Sequence, residues 1–354
     1  MVSLIDKIFG LVSYDVGIDL GTANTMVLVV GKGIVVREPS VVARHKKSGT
    51  ILAIGSEAKL MVGKTPESIE ALRPLKDGVI ADFDAAEAML SHYVRLVHQD
   101  PSSRFKLPRP RVAVGIPSGV TEVERRAVQE AALSAGARQA YLVEEPMAAA
   151  IGADLAVEEP EGRMMVDIGG GTTEIAVISL GGIVLGRSLR VAGDELDEAV
   201  TSFARMKYGL VIGEATAEQV KIAVGSTFPF EKDKKPLQTV VRGRELESGL
   251  PKSLKFSSTE IREALAPTIR LIVQEITDAL EETPPELVAD ILKNGIVLAG
   301  GTSQLRGIDR VIAEASKMPV WQVEDPQTAV VRGCAKVLQD PRLLKKVKVS
   351  GGLR

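Results

Sequence analysis

The chain has 354 residues, more than one ordinary core accommodates and enough for two domains. With 45% hydrophobic and 25% charged residues it has the composition of a globular protein, and a net charge of -2 argues against a dedicated nucleic-acid binder. The only cysteine, Cys334, rules out an internal disulfide and fits a reducing cytoplasm, while three scattered histidines (His45, His92, His98) offer no metal cluster and no apolar run reaches the ~20 residues that span a bilayer.

The first thirteen residues put Met1, Leu4, Ile5, Ile8, Leu11 and Val12 on one helical face, with Ser3, Asp6, Lys7 and Gly10 mostly opposite. They lack the basic start and cleavage pattern of a signal peptide. Such a helix suits the headgroup region of a membrane, although one Lys against one Asp gives little attraction to anionic lipid. The alternative is a helix docked on the protein's own surface.

Residues 17–29 form a β-branched strand ending in Asp19, a tight turn of Gly21, Thr22, Ala23 and Asn24, and a second apolar strand. Residues 58–65 end in Gly63-Lys64-Thr65, as a P-loop does, but lack its first glycine and carry bulky residues inside, so a helix with a glycine end is expected. At 100–109, Phe105 and Leu107 alternate with Arg104, Lys106 and Arg109 between prolines, a pattern suited to inserting into an anionic surface. Strand, helix, strand then follow at 111–116, 122–135 and 139–143, an α/β alternation.

Residues 165–177 repeat the first hairpin, with Asp167, the glycines Gly169, Gly170 and Gly171, then Thr172 and Thr173. A second pair also repeats. Glu145-Pro146 and Asp325-Pro326 each precede small residues and a glycine, so each reads as a helix start, and the small residues let the two helices cross closely. The same order of hairpin and helix in both halves predicts a duplicated domain. Residues 228–256, rich in Lys, Pro and Gly, predict a small inserted subdomain with a strand at 239–241. A strand at 295–299 runs into Gly300 and Gly301 and then a predicted helix, leaving backbone free to pack against an adenine or ribose.

Two such loops can hold a triphosphate. Glycines let phosphate oxygens reach backbone N–H groups, and Thr22, Asn24, Thr172 and Thr173 add side-chain donors. Asp19 and Asp167, at strand ends, suit Mg²⁺ held through its waters. One Gly-rich turn alone would be an ordinary hairpin; two that share Asp-x-Gly point to a nucleotide clamp.

The segments at 18–25, 38–43, 73–83, 115–128, 144–153, 166–182, 213–218 and 297–309 resemble MreB, the bacterial actin homologue, and the likeness runs from about residue 15 to about residue 338. The hairpins are shared with actins, DnaK-type chaperones and sugar kinases; the Glu-Glu-Pro-Met-Ala-Ala-Ala-Ile-Gly and Gly-Glu-Ala-Thr-Ala-Glu strings are more specific to MreB.

The resemblance implies an α/β, actin-like fold. It would have two duplicated domains with mixed sheets flanked by helices, each with a smaller inserted subdomain, and the nucleotide in the cleft between them. The first would take residues 1–152, with an insertion at about 33–75 and completion by about 322–354. The second would take 153–321, with an insertion at about 190–255.

Roles follow by position. The match makes Glu145 the residue that orients the attacking water and Thr172 its helper, and it places Glu218 and Lys221 beside the adenosine. Gly300, Gly301, Thr302 and Ser303 stand at the adenosine motif, where Thr302 departs from a third glycine. Relatives with membrane-binding helices favour the membrane reading for Leu4, Ile5, Ile8 and Phe9, and Phe105 and Leu107 match the family's membrane loop.

The resemblance therefore implies ATP/ADP and Mg²⁺ as cofactors and slow ATPase activity. It also implies self-assembly into filaments, in paired protofilaments, on the inner face of the cytoplasmic membrane, with cell-shape and wall-synthesis membrane proteins as partners and no nucleic acid. Other readings of the same hairpins are a small-molecule kinase, for which no base-and-pocket motif stands out, a DnaK-like chaperone, whose peptide module would have to follow residue 354, and a division-type actin homologue.

Overall fold

The computed structural model describes residues 13–99, 109–229 and 235–349. Its frame is two five-stranded mixed sheets of the same design. In the first, β1 (Asp15–Leu20) pairs antiparallel with β2 (Asn24–Val29), which pairs antiparallel with β3 (Gly33–Pro39). On its other side β1 runs parallel to β9 (Arg111–Ile116), itself parallel to β10 (Gln139–Glu144).

In the second sheet, β11 (Arg163–Ile168), β12 (Thr173–Ser179) and β13 (Gly182–Leu189) form the antiparallel meander. β17 (Ile296–Ala299) and β18 (Val320–Gln322) extend it in parallel. The duplication predicted from the repeated hairpin is thus present strand for strand. Parallel strands covered on both faces read as continuous apolar runs, which is why β9 and β11 show no alternation.

Small sheets branch from each half. β4 (Val42–His45) lies between β5 (Ile51–Ile54) and β6 (Ile69–Leu72), followed by the short pair β7 (Leu75–Lys76) and β8 (Val79–Ile80). In the other half β14 (Leu210–Val211) pairs with β15 (Gln238–Glu245), and β15 with β16 (Pro251–Ser257). The strand expected at 239–241 lies inside β15, which the chain lengthens by turning back on itself at 246–250. The P-loop-like stretch begins with a single helical turn, α1 (Ser56–Lys59), and Gly63 takes a left-handed φ of 71° after it.

Helices cover both sheets: α2 (Phe83–Gln99) and α3 (Glu122–Ser134) on the first, α5 (Gly193–Tyr208), α6 (Glu214–Val224) and α7 (Ser258–Glu282) on the second, where α8 (Pro285–Asn294) and α9 (Ile308–Ser316) also pack. Each half has its own apolar core. A third core joins them, built from α4 (Glu145–Gly152), α10 (Ala329–Gln339) and residues of both sheets. The short α11 (Pro341–Val347) closes its edge.

The α4–α10 crossing depends on two glycines. A Cβ on Gly152 would stand 1.8 Å from the Ala329 carbonyl oxygen, and one on Gly333 would stand 1.8 Å from that of Ala148. Backbones that close leave no room for a methyl group. The two acid-Pro starts differ: Pro146 sits in the first turn of α4, whereas Pro326 opens a 3-10 turn (Pro326–Thr328) before α10. The helix expected directly after Gly300-Gly301 is likewise a 3-10 turn (Thr302–Gln304), and α9 begins only at Ile308.

Candidate functional site: a phosphate clamp between two lobes

The turns after β1 and β11 meet tip to tip at the floor of a cleft between the halves. A Cβ on Gly170 would lie 2.6 Å from the Cβ of Ala23, and one on Gly171 would lie 2.8 Å from the Thr22 hydroxyl oxygen. Thr22 accepts from the Gly78 N–H at 3.1 Å, and the Gly169 N–H donates to the Thr172 carbonyl at 2.9 Å. Hydrogen bonds therefore brace both turns, and their glycines leave backbone facing the cavity.

That cavity encloses about 320 Å³, within the usual range for small-molecule sites. Its lining includes Gly21, Thr22, Ala23 and Asn24 from one turn and Gly169, Gly170, Gly171 and Thr172 from the other. Asp19, Asp167 and Glu145 stand at the deep end; Glu218, Lys221, Gly300, Gly301 and Thr302 line the far end.

Two expected ligand residues do not face it. Thr173 is fully buried and donates to the Val191 carbonyl at 2.8 Å, because alternation along β12 turns it away from the cleft. Ser303 is 3% exposed and donates to the Gly300 carbonyl at 2.7 Å, so it braces the turn from behind. Gly63, Lys64 and Thr65 are not among the lining residues of this cavity. Leu4, Ile5, Ile8, Phe9, Phe105 and Leu107 fall outside the described residues.

The deep end is dense in carboxylates. Burial pushes Asp19 up to about 7. Burial, with the charges of Asp19 and Glu174, holds Asp167 well above the usual carboxylate range. Glu145 is raised likewise by burial and by Glu174, Asp19 and Asp167. Crowded carboxylates out of water favour either proton uptake or a cation. Among the described residues no three acidic, histidine or cysteine side chains converge as a direct metal cage. Two aspartates beside a phosphate cradle instead fit a hydrated Mg²⁺, which keeps most of its waters.

At the far end, Thr302, the departure from a third glycine, is integrated: its hydroxyl donates to the Gly169 carbonyl at 2.6 Å and so ties the adenosine motif to the second turn. Glu218 and Lys221 share a face of α6 without pairing to each other. Lys221 Nζ lies 3.0 Å from Asp197 Oδ2 and donates to the Gly193 carbonyl at 2.8 Å. Glu218 Oε2 lies 2.7 Å from Lys59 of the opposite half. Arg73 bridges the same gap, 2.8 Å to Asp194 and in a further bond to Glu214.

The sequence reading missed Asp194 and Asp197, both in the lining, at the start of α5. The available signal was Gly193 followed by acids at a helix start, one strand beyond the repeated hairpin. Ile222 and Leu305 give this end an apolar wall, suited to a purine face.

The profile of the MreB/Mbl protein family matches residues 13–346. The cell shape-determining protein MreB of Escherichia coli K12 is 50% identical over 340 residues, covering 95% of this chain and 96% of its own. Mbl of Bacillus subtilis 168 is 46% identical over 336 residues, covering 95% and 99%. Among solved structures, MreB5 of Spiroplasma citri bound to ADP aligns with a TM-score of 0.86 at 38% identity, covering 94% of this chain and 98% of that one. The MamK double helical filament aligns at 0.77 over 93% and 99% of the two chains, and at 24% identity it shows the shared actin-like fold.

Proposed function

Because the chain belongs to the MreB/Mbl family, we propose that it is an ATP-dependent, filament-forming bacterial actin homologue that assembles on the inner face of the cytoplasmic membrane and organises wall synthesis for rod shape. The observation that carries this reading is the cleft itself, where two matching Gly/Thr turns, one from each half, face one cavity with Glu145 and Thr172 beside them. MreB5 has been solved with ADP and with AMPPNP, and MamK as a double helical filament, which supports nucleotide binding and self-association here.

In this reading the backbone N–H groups of both turns hold the phosphates, with Thr22 and Thr172 at their edges. Glu145 orients a water in line with the γ-phosphorus. The water oxygen forms the new P–O bond, the bond to the bridging oxygen breaks with its electron pair left on ADP, and the water's proton passes to Glu145 or the phosphate. Mg²⁺, when bound near Asp19 and Asp167, supplies neutralising charge to the phosphate oxygens. Asp197, Glu218 and Lys221 hold the sugar end. Because the turns belong to different halves, the nucleotide also joins the halves, which makes subunit shape, and hence assembly, depend on it.

No helix among the described residues is long and apolar enough to cross a membrane. Attachment would then be peripheral, through residues 4–9 and the loop carrying Phe105 and Leu107, multiplied by assembly. Co-sedimentation and negative-stain imaging with anionic vesicles and Mg-ATP test the proposal. Filaments on lipid that depend on nucleotide are expected; a protein that stays monomeric across concentration, salt and lipid would overturn it.

A further inference from the structure

The P-loop-like stretch stays out of the cavity, but Lys59 within it reaches across the cleft. Its Nζ donates to Glu218 Oε2 at 2.7 Å, and Glu218 lines the far end of the site. Arg73, just after β6, makes the same crossing: its guanidinium donates to Asp194 Oδ2 at 2.8 Å and also to Glu214. Both cations come from the small sheet and α1 of the first half, and the three carboxylates come from α5 and α6 of the second.

Folded structure holds each of these groups in place. The Ser56 N–H that opens α1 donates to Glu38 Oε2 at 2.7 Å, and Ala58 is buried against Val41, Ala43 and Ala53. β6 pairs along β4 up to Leu72, the residue before Arg73. On the opposite side the Asp194 N–H donates to the Gly170 carbonyl at 2.8 Å, which ties Asp194 to the second phosphate turn. Glu218 stands one helical turn after Glu214 on α6, so the two carboxylates share a face.

A row of carboxylates beside a bound polyanion is unfavourable unless cations offset it. Within the second half Lys221 serves Asp197, and among the described residues Glu218 and Asp194 form their ion pairs only with the first half. Opening the cleft removes those countercharges and closing restores them. Resting on the nucleotide-binding reading above, we propose that Lys59 and Arg73 are positioning residues for the adenosine end. They neutralise and orient Glu218 and Asp194 from the opposite half, so the end that holds the sugar is complete only in the closed cleft. The pairs thereby set how long a nucleotide stays.

The test is the release of radiolabelled ADP and of radiolabelled AMPPNP after a chase with excess unlabelled nucleotide. Lys59→Met is expected to speed release up to about fivefold, the scale of one partly exposed ion pair. Arg73→Met, which removes two pairs, should speed it about tenfold, and the double variant about thirtyfold. The factor should be the same for ADP and AMPPNP, because the pairs lie at the adenosine end and not at the γ-phosphate. Association should stay within about threefold, since entry uses the open cleft. Raising salt from about 0.05 to about 0.5 M should narrow the gap between wild type and double variant, and Lys59→Arg should release at the wild-type rate.

Release within about 1.5-fold of wild type in the double variant defeats the proposal, as does a gap that salt leaves unchanged. An effect confined to AMPPNP defeats it too, by moving the action to the γ-phosphate. If the double variant does not fold, Glu214→Gln takes its place: Glu214 is half-exposed and outside the cavity lining, and release about threefold faster with the same salt response is required. A wild type that binds no adenine nucleotide sinks the nucleotide reading and this proposal together; nucleotide bound by wild type and released at a rate indifferent to Lys59 and Arg73 sinks this proposal alone.

Discussion

The two hairpins, β1–β2 and β11–β12, match in register but not in chemistry. Asp19 and Asp167 occupy the same strand-end position, and Thr25 and Thr173 are matched, fully buried threonines whose hydroxyls serve the protein. At the next position the match fails, with Met26 on one side and Glu174 on the other. The acid-Pro helices diverge likewise: Glu145 faces the cleft, while Asp325, at φ 47°, pairs with Arg37 at 2.9 Å in a half-exposed bridge. In the proposed reading, then, both halves share in holding the nucleotide, and the residues assigned to hydrolysis sit at the second turn and on α4.

The largest effect should come from breaking what the halves share. In Gly333→Ala or Gly152→Ala the new methyl would overlap a carbonyl oxygen of the crossing helix, so α4 and α10 must separate and open the joining core. A loss above ~4 kcal/mol is expected, read as a lower urea midpoint or as absence of folded protein. Wild-type-like stability in both would mean that the crossing is looser than its glycines imply.

Next comes the asymmetry of the acid-Pro starts. Glu145→Gln should slow phosphate release by about 10²–10³-fold with nucleotide affinity nearly kept. Asp325→Asn, which tolerates the same left-handed backbone, should leave release unchanged. Equal losses from the two would contradict the division of labour between the halves.

Much of this was legible because the duplication writes itself into local strings. The Asp-x-Gly turns, the acid-Pro starts and the strand of apolar residues before Gly300 are short-range patterns with a physical reason at each position. What stayed hidden is long-range or directional. The Lys59–Glu218 pair joins residues 159 apart, and no local pattern announces it. Asp197 is 4% exposed and raised to about 6 chiefly by burial, with Lys221 opposing; both facts depend on how α5 meets α6. Thr173 and Ser303 sat in the right strings but face the wrong way, a matter of strand alternation and of a 3-10 turn where a helix was expected.

The helices that follow the small sheets also begin differently. Asp82 alone caps α2, accepting from the Ala85 N–H at 3.0 Å, whereas Ser257 and Glu260 cap α7 reciprocally. Burial would raise Glu260, but bonds from Lys207, Tyr208 and Ser257 outweigh it and hold the carboxyl down to about 2. A lowered carboxylate stabilises the fold above its usual value of 4.5, and that contribution is lost as pH falls from there towards 2. Glu260→Gln should therefore cost ~2 kcal/mol at pH 7, and its stability curve should converge with wild type on acidification. A gap that persists at low pH would assign the loss to packing.

The smallest effect tests the buried threonines as a matched pair. Thr25 lies 2.8 Å from the Ser40 hydroxyl, which itself braces the Gly21 carbonyl at 2.6 Å; Thr173 donates to Val191. Valine keeps the shape of each side chain and removes one buried hydrogen bond, so Thr25→Val and Thr173→Val should each cost ~1 kcal/mol in denaturant unfolding. Neither should move nucleotide affinity by more than about twofold, because neither hydroxyl reaches the cavity. If Thr173→Val weakened nucleotide binding tenfold or more while Thr25→Val did not, Thr173 would return to the phosphate site, and the second hairpin would differ from the first in binding as well as in chemistry.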